Sequence, residues 1–204
     1  MRTLDLFSGL GGWSAAFKDR GHDVVTVDNV DRFNPTLVAD VLELPLDYAK
    51  NFDVILASPP CEGFSVSSIG KMWNKDYTPK HPKARLGLTL LRKTIELVSA
   101  NDDNLFFIEN PRGMMRKRPI LHKFKRYTVT YCQYGENRMK PTDIWTNSKL
   151  WNPRPPCKNG DTCRVRAPRG SRTGTQGIPG SAKRAKIPYD LSLEVCIVCE
   201  EELG

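Results

Sequence analysis

One cysteine stands directly after two prolines in residues 57–65, which read ASPPCEGFS. Pro59 and Pro60 stiffen the chain just after a predicted buried strand, and they would present Cys61 at the rim of a sheet. A cysteine in such a position is either a small hydrophobic residue or a nucleophile. Burial is the commoner fate of cysteines in general, but the rigid lead-in and the polar loop that follows favour a nucleophile.

A carboxylate ends a second apolar run. Glu109 follows residues 104–108, NLFFI, and precedes the sequence NPRG. A carboxyl group at the end of a buried strand can have a raised pKa and so donate a proton at neutral pH. The alternative is a structural glutamate that caps backbone amides. The residues alone leave both interpretations open.

A glycine-rich turn, DLFSGLGG in residues 5–12, follows a predicted strand and opens a predicted helix. Glycines allow a ligand to approach the backbone closely, and a helix N-terminus favours negative charge. The turn lacks the GxGxxG spacing of dinucleotide folds, which disfavours a nicotinamide or flavin cofactor. Asp28, at the end of the next predicted strand, is either an acceptor for ribose hydroxyls or a plain turn aspartate.

Alternating strands and helices must position these residues. Short apolar runs bounded by turn residues predict strands, and amphipathic patterns predict helices. The strands are 2–7, 24–27, 54–57, 105–108, 128–131 and 143–145, and the helices are 13–20, 84–99 and 187–203. This alternation predicts an α/β fold with a doubly wound, mostly parallel sheet, whose ligands bind beyond the carboxyl ends of the strands.

Two stretches lack this pattern. Residues 62–83 are polar and contain prolines, which predicts a long mobile loop. Residues 151–182 are rich in Gly, Pro, Arg and Ser and can scarcely form a core. Segment 151–186 carries nine basic residues and one acid, and so holds a charge equal to the net +8 of the whole chain. Such a concentration of positive charge indicates either a polyanionic partner, most simply nucleic acid, or a solvated basic loop.

Several classes of protein are disfavoured. No apolar run approaches the roughly 20 residues of a membrane helix, and the N-terminus enters a predicted strand without a signal segment. Six cysteines without such a signal are read as reduced thiols. Cys157-x5-Cys163 and Cys196-x2-Cys199 could supply four thiolates to one zinc ion. The second pair lies on a predicted helix, where core packing is the commoner explanation, so no metal site is predicted.

Three motifs together resemble the DNA cytosine-5 methyltransferase family. They are Phe7-x-Gly9-x-Gly11-Gly12, Pro60-Cys61-x-Gly63-Phe64-Ser65 and Glu109-Asn110, in this order. The likeness covers about residues 1–150 and implies the Rossmann-like fold of S-adenosylmethionine-dependent methyltransferases. It implies an enzyme of DNA methylation, such as those of restriction–modification systems, with S-adenosyl-L-methionine as cofactor and S-adenosyl-L-homocysteine as product.

The resemblance also implies roles for individual residues. Cys61 would attack carbon 6 of a flipped-out cytosine, and Glu109 would hold ring nitrogen 3 and the exocyclic amine. Arg138, in the stretch 133–140, QYGENRMK, would lie near the base or the thiol. The predicted cofactor-binding residues are Phe7, Ser8, Gly9, Leu10, Gly11, Gly12, Asp28, Asn29, Asp40, Val41, Pro60 and Leu90.

The predicted partner is double-stranded DNA, bound by a soluble, cytoplasmic protein of a prokaryote or virus that acts as a monomer or with a partner subunit. The predicted contacts to DNA are Ser65, Ser67, Arg112, Lys140, Arg164, Arg166, Arg169 and Arg172. The domains would be a catalytic core 1–150, a basic recognition segment 151–184 and a C-terminal helix 185–204 that packs back on the core. The same chemistry on RNA such as tRNA, or a catalytically silent DNA- or partner-binding homologue, stays open.

The sequence departs from the family in several places. Glu62 stands where glutamine usually follows the cysteine, and Pro111 stands where valine usually follows Glu109-Asn110. The arginine-rich motif and the Gly-Asn-Ser-Val signature near the end are not found. Because so little chain is left to read the major groove, the resemblance predicts a short or degenerate recognition sequence.

Overall fold

A computed structural model describes residues 1–66, 69–158, 160–165 and 180–204 of the chain. The described residues form one seven-stranded sheet. Its strands in chain order are β1 Arg2–Leu6, β2 Asp23–Asp28, β3 Leu37–Val38, β4 Val54–Ala57, β5 Leu105–Pro111, β6 Lys125–Thr130 and β7 Pro141–Thr146.

The sheet order is β3-β2-β1-β4-β5-β7-β6. The first five strands in this order run parallel, whereas β7 is antiparallel to both β5 and β6. The predicted doubly wound, mostly parallel sheet is therefore confirmed. Since the order reverses between β1 and β4, the loops that follow these two strands diverge at the switch point where such sheets bind ligands.

Helices cover both faces of the sheet. They are α1 Ala15–Asp19, α2 Ile69–Met72, α3 Pro82–Val98, α4 Ser181–Ala185 and α5 Tyr189–Leu203. One buried cluster joins α3, through Leu91 and Ile95, to alternate residues of the strands. The other joins α1 and α5, through Phe17, Leu191 and Val195, to the opposite face. No helix among the described residues is long and apolar enough to span a bilayer.

The described part of the predicted mobile loop, residues 62–66 and 69–83, contains regular structure. A 3-10 turn at Cys61–Gly63 leads into α2, and Trp73 then pairs with Pro79 in an isolated antiparallel bridge. The Trp73 side chain is buried, stacks on Phe64 and donates from Nε1 to the Gly63 carbonyl at 2.7 Å. From the sequence, Trp73 could either stack on bases or anchor the loop to the domain, and in the structure it packs in the core beneath the loop.

The elements differ from the predicted ones at other points. β3 has only two residues and no apolar pattern that predicts it. β5 continues to Pro111, so that Glu109 lies inside a strand and pairs with Ile144. Tyr131, predicted as the last residue of a strand, instead begins a 3-10 turn after β6.

Candidate active site

The sheet brings the cysteine and the glutamate together. β4 and β5 are neighbours in register, with Ala57 paired to Ile108. Glu109 follows at once, while Cys61 lies four residues beyond Ala57. Asn110 closes the gap between the two loops, because its Nδ2 donates to the Pro59 carbonyl at 2.8 Å. Glu109 is thereby near enough to raise the pKa of the Cys61 thiol.

Glu109 is almost fully buried, with 4% of its surface exposed. The Tyr131 hydroxyl donates to Glu109 Oε1 at 2.9 Å. Burial raises the pKa of Glu109, and the positive charge of Lys140 and the Tyr131 hydrogen bond oppose the rise. In this environment the carboxyl group keeps its proton to a higher pH than an exposed glutamate does.

Cys61 lies in the 3-10 turn that follows Pro60 and is partly exposed. Burial raises the pKa of its thiol, and the nearby Glu109 raises it further. Lys140 is the main positive charge that acts in the opposite direction. The thiol is therefore protonated at neutral pH, and Lys140 is the charge that most lowers its pKa.

Lys140 lies just before β7, and its Nζ sits 4.2 Å from the centre of the Tyr131 ring. Burial lowers its pKa, while Glu109 and Cys61 raise it. The structure therefore places Lys140, which was predicted to contact DNA, near enough for its charge to act on both Cys61 and Glu109. Arg138 is half-buried two residues earlier, and it is not among the main charges acting on Cys61 or Glu109.

Tyr131 was missed from the sequence. It ends an ordinary-looking apolar run, and the only available signal was a hydroxyl-bearing aromatic residue at the carboxyl end of a strand. Its contact with Glu109 joins residues that are 22 positions apart. Sequence spacing alone does not predict this pair, because the contact depends on β7 lying antiparallel between β5 and β6.

Two glycines let the cysteine loop pack closely. A Cβ atom on Gly113 would lie 2.3 Å from the Phe64 carbonyl oxygen, and one on Gly63 would lie 2.8 Å from the Lys83 carbonyl oxygen. Phe64 accepts a hydrogen bond from the Met114 amide at 2.8 Å, and Ser65 pairs with Gly113. The loop that carries Cys61 is thereby fastened to the segment that follows Glu109.

The glycine-rich turn lies at the carboxyl end of β1, next to that of β4. Phe7, Gly9 and Gly11 all have positive φ angles, of 59°, 50° and 67°. Nothing lies within 4 Å of a Cβ atom built on Gly9 or Gly11, so the space beside the turn is open. Asp28 Oδ2 accepts from the Gly9 amide at 2.9 Å and Oδ1 accepts from the Val30 amide at 2.9 Å. Asp28 therefore shapes the turn, and each oxygen keeps a lone pair for a ligand.

The other residues that were predicted to bind the cofactor differ in burial and in the contacts they make. Asp40 Oδ1 accepts from the Leu42 amide at 2.9 Å and caps the 3-10 turn that contains the buried Val41. Gly12 has a packing role, because its Cβ position is 2.8 Å from the Ile187 backbone. Of the remainder, Leu10, Asn29 and Pro60 are exposed, whereas Ser8 and Leu90 are buried, the latter on α3. The turn, Asp28 and Asp40 fit a ligand that carries both hydroxyl and amino groups.

The predicted DNA contacts are described only in part. Arg112 is exposed just after Glu109 and Asn110, on the rim that a substrate would approach. Arg164 is half-buried, with Nη1 2.7 Å from the Met139 sulfur. Arg154, another basic residue of the segment, is engaged within the protein by Glu194 and by the Gln133 carbonyl. Ser67, Arg166, Arg169 and Arg172 lie outside the described residues.

The cysteines do not form the four-thiolate set that the sequence left open. Cys196 and Cys199 are fully buried in the core on α5. Cys157 and Cys163 instead meet Cys132, which follows β6. This cluster lies outside the site of Cys61.

A family model described as C-5 cytosine-specific DNA methylase matches residues 1–130. The chain belongs to this family. The prediction of a methyltransferase enzyme is thereby confirmed at the level of the family.

Individual relatives agree with this assignment. The chain is 32% identical over 222 aligned residues to a "Probable DNA (cytosine-5)-methyltransferase" of Frog virus 3, covering 98% of this chain and 100% of the relative. It is 30% identical to the type II methyltransferase M.AplI of Arthrospira platensis, over an alignment that covers 59% of this chain and only 34% of that protein. The methyltransferase EhMeth of Entamoeba histolytica shares the fold, with a TM-score of 0.51 and 17% identity over 72% of this chain and 52% of that one.

Proposed function

We propose that the chain transfers a methyl group from S-adenosylmethionine to carbon 5 of a cytosine in DNA, through a covalent bond to Cys61. The observation that supports this most directly is the convergence of Cys61, Glu109 and Lys140 at the carboxyl ends of β4 and β5. A nucleophile, a raised-pKa acid and a cation within reach of one another are the groups that this reaction requires.

Carbon 5 of cytosine is too poor a nucleophile to accept a methyl group unaided. The Cys61 thiolate adds to carbon 6 and forms a sulfur–carbon bond, while the electron pair of the 5,6 double bond moves toward carbon 5. Glu109 donates its proton to ring nitrogen 3 and so takes up the negative charge that develops on the ring. Once the cofactor's methyl group is on carbon 5, a water molecule takes the carbon 5 proton, Glu109 takes back the proton of ring nitrogen 3, and the re-formed 5,6 double bond expels the Cys61 thiolate.

Lys140 would govern the first step. The resting thiol is protonated, because burial and Glu109 both raise its pKa. A positive charge near the sulfur favours the thiolate, while burial still holds the pKa of Glu109 above its usual value. We assign this role to Lys140, and the catalytic role predicted for Arg138 becomes secondary.

The cofactor would lie against the turn 7–12, with its methionine part beside Gly9 and Gly11, its ribose at Asp28 and its adenine at Asp40 and Val41. The open space above the two glycines fits a ligand that contacts the backbone directly. The site therefore lies at the switch point between β1 and β4, next to the loop of Cys61.

The target base would enter from the rim where Arg112 is exposed. A cytosine within a duplex cannot reach a partly buried thiol, so the base must leave the stack. Phosphate contacts from Arg112 and from the basic segment 151–184 would position the duplex, with a strong dependence on salt concentration.

The decisive experiment uses duplex DNA that contains 5-fluorocytosine, incubated with the protein and S-adenosylmethionine. Fluorine cannot leave as a proton does, so the covalent Cys61 adduct should accumulate and survive denaturation. Cys61→Ser should form no adduct, Glu109→Gln should form it at least tenfold more slowly, and the buried Cys199→Ala should behave like the wild type.

The outcomes separate the alternatives. An adduct in Cys61→Ser would refute the assignment of the nucleophile. Absence of an adduct on duplexes of varied sequence, with cofactor binding verified by calorimetry, would refute the DNA reaction. The same assay on 5-fluorocytosine-containing tRNA would then distinguish an RNA methyltransferase from a silent homologue.

A further inference from the structure

Three cysteines from distant parts of the chain meet beside the active site. The sulfur atoms of Cys132, Cys157 and Cys163 all lie within 4.8 Å of one another. Cys132 and Cys157 are buried and Cys163 is exposed. The sequence offered only the pair Cys157-x5-Cys163, and Cys132 joins it because the segment after Trp151 folds back on the end of β6.

The spacing suits a metal ion. Three thiolates about 2.3 Å from one tetrahedral zinc ion lie about 3.8 Å apart. The Cys132 and Cys163 sulfurs are 3.6 Å apart, so the cluster needs only a small closure to bind the ion. We propose that Cys132, Cys157 and Cys163 bind one Zn²⁺ ion, with the fourth position open to solvent on the side of Cys163.

The surroundings support this assignment. Gln133 Nε2 donates to the Cys163 sulfur at 3.5 Å, a contact that orients a thiolate ligand. The Cys157 amide donates to Thr130 Oγ1 at 2.8 Å, which holds the second cysteine over the end of β6. Three thiolates and Zn²⁺ carry a net charge of −1, and the charge of Arg164 acts on Cys157 in the direction that offsets it.

A zinc ion would order the segment that carries Cys157 and Cys163, whose described residues have no regular secondary structure of their own. Residues 152–158 and 160–165 form no helix or strand. They are tied back by isolated contacts, such as that of the Val165 amide with the Asn137 carbonyl at 2.9 Å. Zinc binding displaces the thiol protons to solvent and joins the segment to the core at three points, and structural zinc commonly orders chains too polar to form a core.

The position has a consequence for the active site. Cys132 directly follows Tyr131, whose hydroxyl donates to Glu109. A zinc ion on Cys132 would thus fasten both the basic segment and the turn that holds Glu109. This inference goes beyond the proposed methyl transfer, and its test needs no catalytic turnover.

The test uses the full chain, purified under reducing conditions and reconstituted with one equivalent of Zn²⁺ or Co²⁺. Mass spectrometry of the metal should find one zinc ion per chain after desalting. The Co²⁺ form should show the thiolate charge-transfer and tetrahedral ligand-field absorption bands. Chelation should lower the melting temperature of the wild type.

Variants locate the site. Cys163→Ser changes an exposed residue, so the chain should still fold while zinc affinity falls at least tenfold and the melting temperature no longer responds to the chelator. Cys132→Ser and Cys157→Ser should also lose the ion. The matched control Cys199→Ala removes a thiol from the core and should retain the full metal content.

Several results would overturn the proposal. These are a wild type that binds no zinc after reconstitution, a Cys163→Ser variant that keeps it, or another metal at one equivalent in its place. A disulfide between Cys132 and Cys163 in the protein as isolated would also overturn it, by assigning the cluster to thiol oxidation.

Discussion

Burial affects Cys61 and Glu109 in conflicting ways. It raises the pKa of Glu109, which suits the proposed proton donor, and it raises the pKa of Cys61, which disfavours the thiolate of the proposed nucleophile. Lys140 opposes both rises from a position beside Tyr131. We infer that Lys140 offsets part of the rise in the pKa of Cys61, while Glu109 stays buried.

Replacing Lys140 by methionine should therefore slow methyl transfer. Without the positive charge, the pKa of Cys61 should rise further, and kcat/KM at neutral pH should fall roughly tenfold. The acidic limb of the pH–rate profile, which reports thiolate formation, should move to higher pH. Steady-state kinetics with tritiated cofactor across a pH series measures both effects.

Two further variants make this prediction specific. Lys140→Arg retains the charge and should leave the acidic limb close to its wild-type position. Arg138→Met removes a cation two residues away and should not move that limb. A shift in Arg138→Met without one in Lys140→Met would return the role to the residue that the sequence first indicated.

At the scale of elements, the active site depends on how closely two loops approach. The loop after β4 carries Cys61, the segment after β5 follows Glu109, and they touch where Gly113 faces the Phe64 carbonyl. The neighbouring Trp73 fills the space behind Phe64. Backbone packing that leaves no room for a side chain thus fixes the loop of Cys61 against the segment that follows Glu109.

Gly113→Ala tests this packing. Its Cβ atom would meet the Phe64 carbonyl oxygen at 2.3 Å, so the backbone of one loop must shift. We expect a loss of stability of about 1–3 kcal/mol and a fall in kcat of at least tenfold, with cofactor affinity little changed. Urea unfolding, calorimetry and steady-state kinetics measure the three quantities.

Gly70→Ala provides the matched control. Gly70 lies on the exposed side of α2, and nothing is found within 4 Å of its Cβ position. Alanine there should keep or slightly raise stability, because it favours the helix, and should leave kcat unchanged. Equal losses in both variants would argue against the packing of Gly113 as the cause.

At the scale of the whole molecule, the last helix joins the beginning of the chain. Ser192 on α5 donates from Oγ to the Trp13 carbonyl at 2.6 Å and accepts from the Ala16 amide at 3.1 Å. Ile187, just before α5, lies against Gly12 of the glycine-rich turn. The end of the chain therefore supports the turn that would hold the cofactor, although no family signature was found there.

Glu200 contributes a charged contact to this junction. It receives a bidentate pair of bonds from Arg20, at 2.9 and 2.6 Å, and contacts His22 Nε2 at 2.8 Å. These contacts lower the pKa of Glu200 from 4.5 to about 2, with the Arg20 hydrogen bond as the largest cause. The contact stabilises the fold above pH 4.5, and this stabilisation is lost as the pH falls toward 2.

Glu200→Gln should then destabilise the protein at pH 7 by about 1–2 kcal/mol, less than the full pKa shift implies, because the pair is partly solvated. The difference from wild type should shrink as the pH is lowered below 4.5. Urea unfolding at several pH values measures it. The exposed neighbour Glu201 provides the control Glu201→Gln, and an equal effect there would argue against the junction.

The sequence by itself determined the fold class, the family and the main chemical groups. Apolar periodicity predicted the strands that carry the turn 7–12, Cys61 and Glu109, because alternation of strands and helices is a local property of the chain. The order of the three motifs resembled one family, and the family model matches residues 1–130. What these residues can do chemically follows from their types and from the strand ends at which they lie.

Only the tertiary structure decided which cation lies near enough to lower the pKa of the Cys61 thiol, which hydroxyl donates to Glu109 and which cysteines meet. Tyr131 and Lys140 reach Glu109 because β7 inserts antiparallel between β5 and β6. Cys132 reaches Cys157 and Cys163 because the segment after Trp151 turns back over β6. Such contacts join residues far apart in sequence, and no local pattern records them, because their energy depends on packing that exists only in the folded chain.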